Sequence, residues 1–235
     1  MKVFVGYDAR EPEAYKVCVR SLLKHSSIDL DIIPLLDADL RAKNLYRRQY
    51  KQLAVGPRYD FLDGKPFSTD FAFTRFLVPS LCDFGPAVFC DADFLWRGDI
   101  NSLLDHFDNS KAVLVVQHDH KPDESEKMDH MIQESYPRKN WSSLILWNCS
   151  HYACRALTPE YVNTKPGSDL HGFKWVDDDH IGSLPVEWNY LVGWNTKEQC
   201  EHPSAVHFTN GIPTMPGWWN QEYASEWLST LREIQ

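Results

Sequence analysis

From Ala87 to Arg97 the chain reads Ala-Val-Phe-Cys-Asp-Ala-Asp-Phe-Leu-Trp-Arg. An apolar strand ends there in two aspartates, Asp91 and Asp93, with the small Ala92 between them. A chain leaving a buried strand ordinarily turns away on Gly, Asn or Pro. This one delivers two carboxylates to the strand's carboxyl end, where open α/β sheets bind their ligands. Two hard oxygen ligands so close together suit Mg²⁺ or Mn²⁺, and such an ion commonly bridges to phosphate oxygens. An Asp-x-Asp triplet also arises by chance among 33 acidic residues, so the segments around it decide how it is read.

Those segments describe an α/β protein. Lys2 to Gly6 is a short apolar strand. Ala14, Val17, Cys18, Ser21 and Leu22 recur at helical spacing within Glu13–Lys24, and Leu30 to Leu36 reads as a second strand. A β–α–β opening implies a parallel sheet with a crossover helix. The spacing predicts further helices over Leu40–Tyr50, Asp70–Cys82 (with a kink or early end at Pro79), Asn101–Phe107, Ser150–Leu157 and Glu222–Ile234. Strands are expected at Ala87–Cys90, Ala112–Gln117, Ser143–Trp147, Trp188–Val192 and Ala205–Phe208. With no repeat or low-complexity linker, 235 residues fit one domain. Its nucleotide-binding half is expected over residues 1–117, and its acceptor and donor-sugar half over 118–235.

Composition narrows the function. A net charge of −9 with no basic stripe argues against binding duplex nucleic acid, which requires neutralising phosphates. It leaves room for a nucleotide, whose charge a metal ion can offset. The six cysteines contain no Cys-x-x-Cys pair and several sit in apolar runs, so they read as small buried hydrophobes. Eight of the nine tryptophans follow residue 140; they are core payload, with one or two left to stack on a sugar or base. No signal peptide and no run long enough to cross a bilayer is visible, so a cytoplasmic setting is expected.

Three more segments bear on the aspartates. Gly6-Tyr7-Asp8 follows the first strand, where a ring and a carboxylate can hold a nucleobase or simply form a turn. Arg75, in Phe73-Thr74-Arg75, can reach a diphosphate or stand in solvent. His207, in Val206-His-Phe-Thr-Asn-Gly211, leaves a late apolar strand and can complete a metal shell.

In this order and spacing the chain resembles a GT-A type nucleotide-sugar glycosyltransferase, close in pattern to glycosyltransferase family 8 and its bacterial and viral relatives. The likeness spans the start Val5-Gly-Tyr-Asp-Ala-Arg-Glu-Pro-Glu-Ala-Tyr15, the segment Thr74–Pro79, the Asp-x-Asp, the stretch Tyr136–Asn148 and the His-Phe-Thr-x-Gly ending. It implies a single α/β domain with a Rossmann-like, mixed but mainly parallel sheet flanked by helices. Asp91, Asp93 and His207 would bind Mn²⁺ or Mg²⁺. Gly6, Tyr7 and Asp8 would meet the base, Arg75 the diphosphate or donor sugar, and Asp91 also the ribose. Ala92, Ser142, Ser143 and Gly211 would line the donor site, and one of Asp177, Asp178 and Asp179 would stand beside the donor sugar as the catalytic acid group.

The chain departs from that pattern after the histidine. Gly211-Ile-Pro-Thr-Met-Pro-Gly217 stands where the family often has a diphosphate-gripping lysine, so backbone N–H groups or Trp218 would line that wall, or Arg75 and Lys127 would compensate. The stretch Asp119–Asp129 and the tryptophans beyond Trp141 are expected on the acceptor side. The implied reaction moves a hexose from a nucleotide diphosphate sugar, UDP by analogy, to a glycan or other hydroxyl acceptor, with retention. A nucleotide-sugar hydrolase, a nucleotidyltransferase and a degenerate carbohydrate-binding protein are the rivals. Arg10-Glu11-Pro12 lacks the glycines of a nucleotidyltransferase phosphate loop.

Overall fold

The computed structural model describes residues 1–52, 58–119 and 138–235, and the backbone of 126–127 and 131–132. The chain opens with β1 (Lys2–Gly6), α1 (Pro12–His25) and β2 (Asp31–Leu35), and β1 and β2 run parallel. Pro12 stands in the first turn of α1, where its missing N–H costs nothing. Glu13 meets the positive helix end, Lys24 and His25 the negative one. The predicted apolar positions form its buried face.

Two expected helices are shorter than their periodicity suggests. Helix α2 (Asp37–Ala42) ends as Asn44 turns into the left-handed region at φ 56°. The chain beyond builds a small antiparallel sheet from β3 (Tyr50–Lys51), β4 (Arg58–Asp60) and β5 (Lys65–Phe67). Asp70–Cys82 is not one helix but a turn, a 3₁₀ segment (Thr74–Leu77) and a short α3 (Val78–Leu81). Pro79 stands in the first turn of α3 instead of kinking a longer helix, because a proline is tolerated in a first turn and not in a ladder.

The chain continues through β6 (Pro86–Cys90), β7 (Phe94–Trp96), a 3₁₀ segment (Ile100–His106), β8 (Val113–Val115), β9 (Glu126–Lys127) and β10 (Met131–Ile132). Next come β11 (Leu144–Asn148), α4 (Tyr152–Ala156), α5 (Pro159–Thr164) and α6 (Gly167–His171). The last elements are β12 (Ile181–Ser183), β13 (Tyr190–Leu191), β14 (Ala205–His207) and α7 (Ala224–Arg232).

Six strands form the central sheet in the order β12-β8-β11-β6-β1-β2. Strand β11 is antiparallel to both neighbours and the other pairs are parallel, giving the mixed, mainly parallel sheet expected. Alternation splits each strand between two apolar layers. Val3, Val5, Val88, Cys90, Leu144 and Leu146 pack on one side. Phe4, Ala87, Phe89, Val113, Ile145 and Trp147 pack on the other. Each large side chain so buried contributes about 1.5–3 kcal/mol. A sheet covered on both faces is a firm support for whatever leaves its ends.

Register decides which residues share an end. Val5 pairs with Cys90 and Cys90 with Leu144, so Gly6, Asp91 and Ser143 emerge side by side. A second sheet, β13-β14-β7, starts where β6 stops, and its antiparallel β14–β7 pair sets His207 opposite Phe94. The six cysteines are free, five of them buried. Trp96, Trp147, Trp188 and Trp227 are fully buried, as the core reading expects. Among the described residues no helix is long and apolar enough to cross a membrane.

Candidate functional site

Three groups meet where β6 gives way to β7. Asp91 closes the main-sheet ladder by donating its amide to the Ser143 carbonyl at 2.9 Å. Two residues later the Asp93 carbonyl accepts from the Phe208 amide at 3.0 Å, so the chain has already joined the second sheet. The ring of His207 stacks on Phe94 (centroids 4.6 Å apart, planes at 16°) and brings Nε2 to 3.3 Å from Asp93 Oδ1. One ligand atom each from Asp91, Asp93 and His207 lies within 4.8 Å of the others. The small Ala92 is buried between the two sheets and lets both neighbouring carboxylates face the same way.

The donor set fits a divalent cation on chemical grounds. His207 Nδ1 faces the Oδ1 of Asn189 at 3.1 Å, an atom that only accepts, so Nδ1 carries a proton. Nε2 is then the nitrogen that faces Asp93 Oδ1, two donor atoms that one cation can share. Asp91 brings a third ligand atom to the same spot. Burial pushes its carboxyl up to about 6, and Asp93 adds to the rise while Arg75 and His207 oppose it.

Arg75 is buried on the 3₁₀ segment. Its Nη1 lies 2.7 Å from Asp91 Oδ1 and donates to the Ser142 carbonyl at 2.8 Å. The rings of Phe71 and Phe89 flank the guanidinium at 5.3 and 5.0 Å. It is therefore a fixed positive wall that holds Asp91 in place, not a solvated helix arginine. Arg75, Asp91, Asp93, Ser142, Ser143 and His207 line one cavity.

The other expected site residues sit around that cavity or away from it. Gly6 is required by packing, because a Cβ there would stand 2.6 Å from the Phe71 ring. Tyr7 is half-buried, edge-on to Tyr15 at 5.4 Å. The Asp8 carboxylate is engaged within the chain. Oδ1 accepts from the Arg10 amide and Nε, and Oδ2 from Arg10 Nη2 and the Asp70 amide. Burial works to raise the Asp8 carboxyl, but the Arg10 contacts outweigh it and hold it below the usual carboxylate range. Asp8 thus shapes the turn, and Arg10 carries on to the carbonyl of Ser68, a cavity residue. Gly211, at φ 148°, closes the turn after Thr209, its carbonyl taking a bond from Gln221.

The acidic triplet does not reach the cavity. Asp177, Asp178 and Asp179 are exposed and lead into β12, whose Ile181 pairs with Val113 at the far end of the sheet from Asp91. Asp178 pairs with Arg138, and the Asp179 carbonyl accepts from Lys111. The run of aspartates was legible; the strand β12 that follows it, and the end of the sheet it enters from, were not. The side chain of Lys127 and the acidic stretch beyond Asp119 lie outside the described residues. Among the described residues no tryptophan lines the cavity.

Sequence reasoning missed His171, at the end of α6. Its Nδ1 meets Ser142 Oγ at 2.8 Å, and its ring stands edge-on to Phe76 at 5.1 Å. Burial, helped by the nearby Arg75 charge, lowers its imidazole to about 3. Nothing in Leu170-His171-Gly172 marks it, since only the fold of α5 and α6 brings it to Ser142. The unfolded chain protonates this ring near 6.5 and the folded one near 3. Between those values the unfolded state binds more protons, so stability falls as pH falls through that window. His171→Gln is expected to flatten the decline of Tm between about pH 6.5 and pH 4; a slope equal to wild type would place the ring in solvent.

No family profile matches the chain. Protein CDI of Arabidopsis thaliana is 45% identical over 236 residues, covering 99% of this chain and 86% of that protein. The chain belongs to the Protein CDI family. Among solved structures, the WbbM bifunctional glycosyltransferase in its apo form superposes with a TM-score of 0.65 at 15% identity, over 98% of this chain and 49% of that one. The chain thus spans about half of WbbM. The galactosyltransferase LgtC, in complex with donor and acceptor sugar analogs, gives 0.59 at 10% identity, over 99% and 96%. This member of the Protein CDI family therefore has the GT-A glycosyltransferase fold that its sequence resembles; these likenesses do not single out family 8 within it.

Proposed function

We propose that this chain is a metal-dependent glycosyltransferase that moves a hexose from a nucleotide diphosphate sugar, a UDP-sugar by preference, to a glycan or other hydroxyl acceptor. The observation that carries the reading is the convergence of Asp91, Asp93 and His207 at the carboxyl end of β6, beside a buried arginine, in a GT-A fold. LgtC, a neighbour of the same fold, binds donor and acceptor sugar analogs.

Breaking a sugar–phosphate bond puts negative charge on the leaving diphosphate and positive charge on the anomeric carbon. Asp91, Asp93 and His207 would hold Mn²⁺ or Mg²⁺, which would supply Lewis-acid stabilisation of the leaving diphosphate. Arg75 keeps Asp91 oriented and adds fixed positive charge to the same wall. Ser142 and His171 are neutral polar groups on the cavity's side and take the donor sugar's hydroxyls. Tyr7 offers a ring to the base, while Asp8 and Arg10 support that edge through Ser68. We take the reaction to retain configuration, as the resemblance to family 8 implies. The acidic triplet has no part in this scheme.

A thermal-shift series with UDP, GDP, CDP and dTDP, each with and without Mn²⁺, tests the reading. A ligand at about 100 times its Kd adds about 2.7 kcal/mol, which is roughly 5–10 °C for a domain of this size. The expected result is such a rise for UDP that requires Mn²⁺. No rise with any diphosphate overturns the transferase reading; a rise for another base keeps it and corrects the donor.

A further inference from the structure

The two ring nitrogens of His207 are set by a chain of hydrogen bonds that ends on a backbone carbonyl. Asn140 sits in the left-handed region at φ 64°, a conformation asparagine tolerates. Its carbonyl accepts from Ser143 Oγ at 2.7 Å, from the Ser143 amide at 3.3 Å and from Asn189 Nδ2 at 3.4 Å. A carbonyl oxygen has no proton to give, so the hydroxyl of Ser143 must point to it and leave its own oxygen to accept. Asn189 Nδ2 donates to that oxygen at 2.8 Å. With its amide nitrogen so committed on both contacts, the fully buried Asn189 can turn only Oδ1 toward His207 Nδ1. Oδ1 only accepts, and so the imidazole proton is held on Nδ1.

We propose that Asn189 is a positioning residue that locks His207 in the Nδ1–H tautomer and thereby presents the Nε2 lone pair to a divalent ion between Asp91 and Asp93. The inference rests on reading those three side chains as the metal group, but its first step concerns the metal-free protein alone. A neutral histidine in water favours the proton on Nε2, the nitrogen that a metal here would need. The Asn140–Ser143–Asn189 relay reverses that preference. Outer-shell partners of this kind fix a ligand's tautomer and ring orientation and are worth about 10–100-fold in metal affinity. The stacking of His207 on Phe94 fixes the plane of the ring, and Asn189 fixes which nitrogen faces the carboxylates.

The test uses the whole chain with ¹⁵N-labelled histidine, freed of metal, at a pH about two units above the ordinary imidazole value of about 6.5. The His207 signals are assigned by their loss in His207→Gln. The expected spectrum has the His207 proton on Nδ1 in the wild type and in Asn189→Asp, whose carboxylate also accepts. It moves to Nε2 in Asn189→Leu. Manganese binding, read by the electron-spin signal of the free ion, is expected to weaken about 10–100-fold in Asn189→Leu and to change little in Asn189→Asp. A wild-type proton on Nε2, or equal manganese affinities in wild type and Asn189→Leu, overturns the proposal. Because the wild-type spectrum needs no change at Asn189, a poorly folded Asn189→Leu does not spare it. A wild type that holds the Nδ1 proton yet binds no manganese overturns the metal reading of the site, and with it the ligand half of this one.

Discussion

Replacing Asp93 by alanine is expected to remove metal-dependent donor binding and to leave the fold as stable as before or more so. The two halves of that result have one cause. Asp93 is a second carboxylate beside Asp91, and its charge helps raise the Asp91 carboxyl to about 6. In the metal-free protein it is therefore a source of like-charge repulsion, and its removal relieves Asp91 near neutral pH. With the ion present the same carboxylate is a ligand. A divalent ion supplies several kcal/mol to a developing phosphate charge, and about 4 kcal/mol is a factor of roughly a thousand in rate. The variant should show the wild-type Tm or a higher one without metal, no manganese-dependent rise with UDP, and a donor turnover lower by about a thousandfold. A chelator should bring the wild type down to the same level and leave the variant unchanged. Normal manganese dependence in Asp93→Ala would take this carboxylate out of the metal group; a large loss of Tm would assign it to stability instead.

Much of this site is written in local sequence, and the part that is not depends on long-range placement. The strand before Asp91, the small residue at position 92 and the apolar run before His207 are all contiguous signals. The fold adds only that β14 pairs with β7 so that His207 stands opposite Phe94. The mainly parallel sheet likewise follows from the β–α–β opening. His171 and Asn189 carry no such mark: His171 ends the short α6 and Asn189 follows a 3₁₀ turn, Val186–Trp188, and both are placed by packing far along the chain. The acidic triplet failed for the converse reason. Three aspartates in a row are conspicuous, but which sheet end they occupy is decided by the pairing of Ile181 with Val113. Asp8 looked free to meet a base because the sequence does not reveal that Arg10, two residues on, takes both its oxygens. Short helices and two- or three-residue strands between Tyr50 and Phe67 were illegible because none is long enough to display a period.

The largest expected effect on stability lies outside the cavity, at Arg48. Its side chain is buried and forms a bidentate pair with Asp60, Nε to Oδ1 at 3.1 Å and Nη2 to Oδ2 at 2.7 Å. Nη2 also lies 3.3 Å from Asp63 Oδ1, and Nη1 donates to the Lys165 carbonyl at 2.6 Å. The guanidinium covers the Phe73 ring at 3.9 Å, and Asp63 in turn accepts the Gly167 amide at the start of α6. One arginine thus ties the small sheet, helices α5 and α6, and the segment leading to Arg75 into a single unit. Arg48→Met fills much of the same volume but strands two buried carboxylates. Breaking a buried pair in this way costs about 3–5 kcal/mol, or roughly 6–20 °C in Tm for a domain of this size. Adding Asp60→Asn and Asp63→Asn should restore part of the loss, because the amides remove the stranded charge. Arg48→Lys should fall between, since an ammonium offers one point of charge and cannot span both oxygens of Asp60. A Tm for Arg48→Met within about 2 °C of wild type would mean that packing on Phe73, not the charge pair, holds these elements together. Because α6 ends at His171 and the Phe73 segment leads to Arg75, the same variant should also loosen the neutral and the positive walls of the cavity. Weaker manganese-dependent UDP binding well below its lowered Tm would be the sign that the scaffold on this side of the sheet is what keeps Ser142, His171 and Arg75 in register.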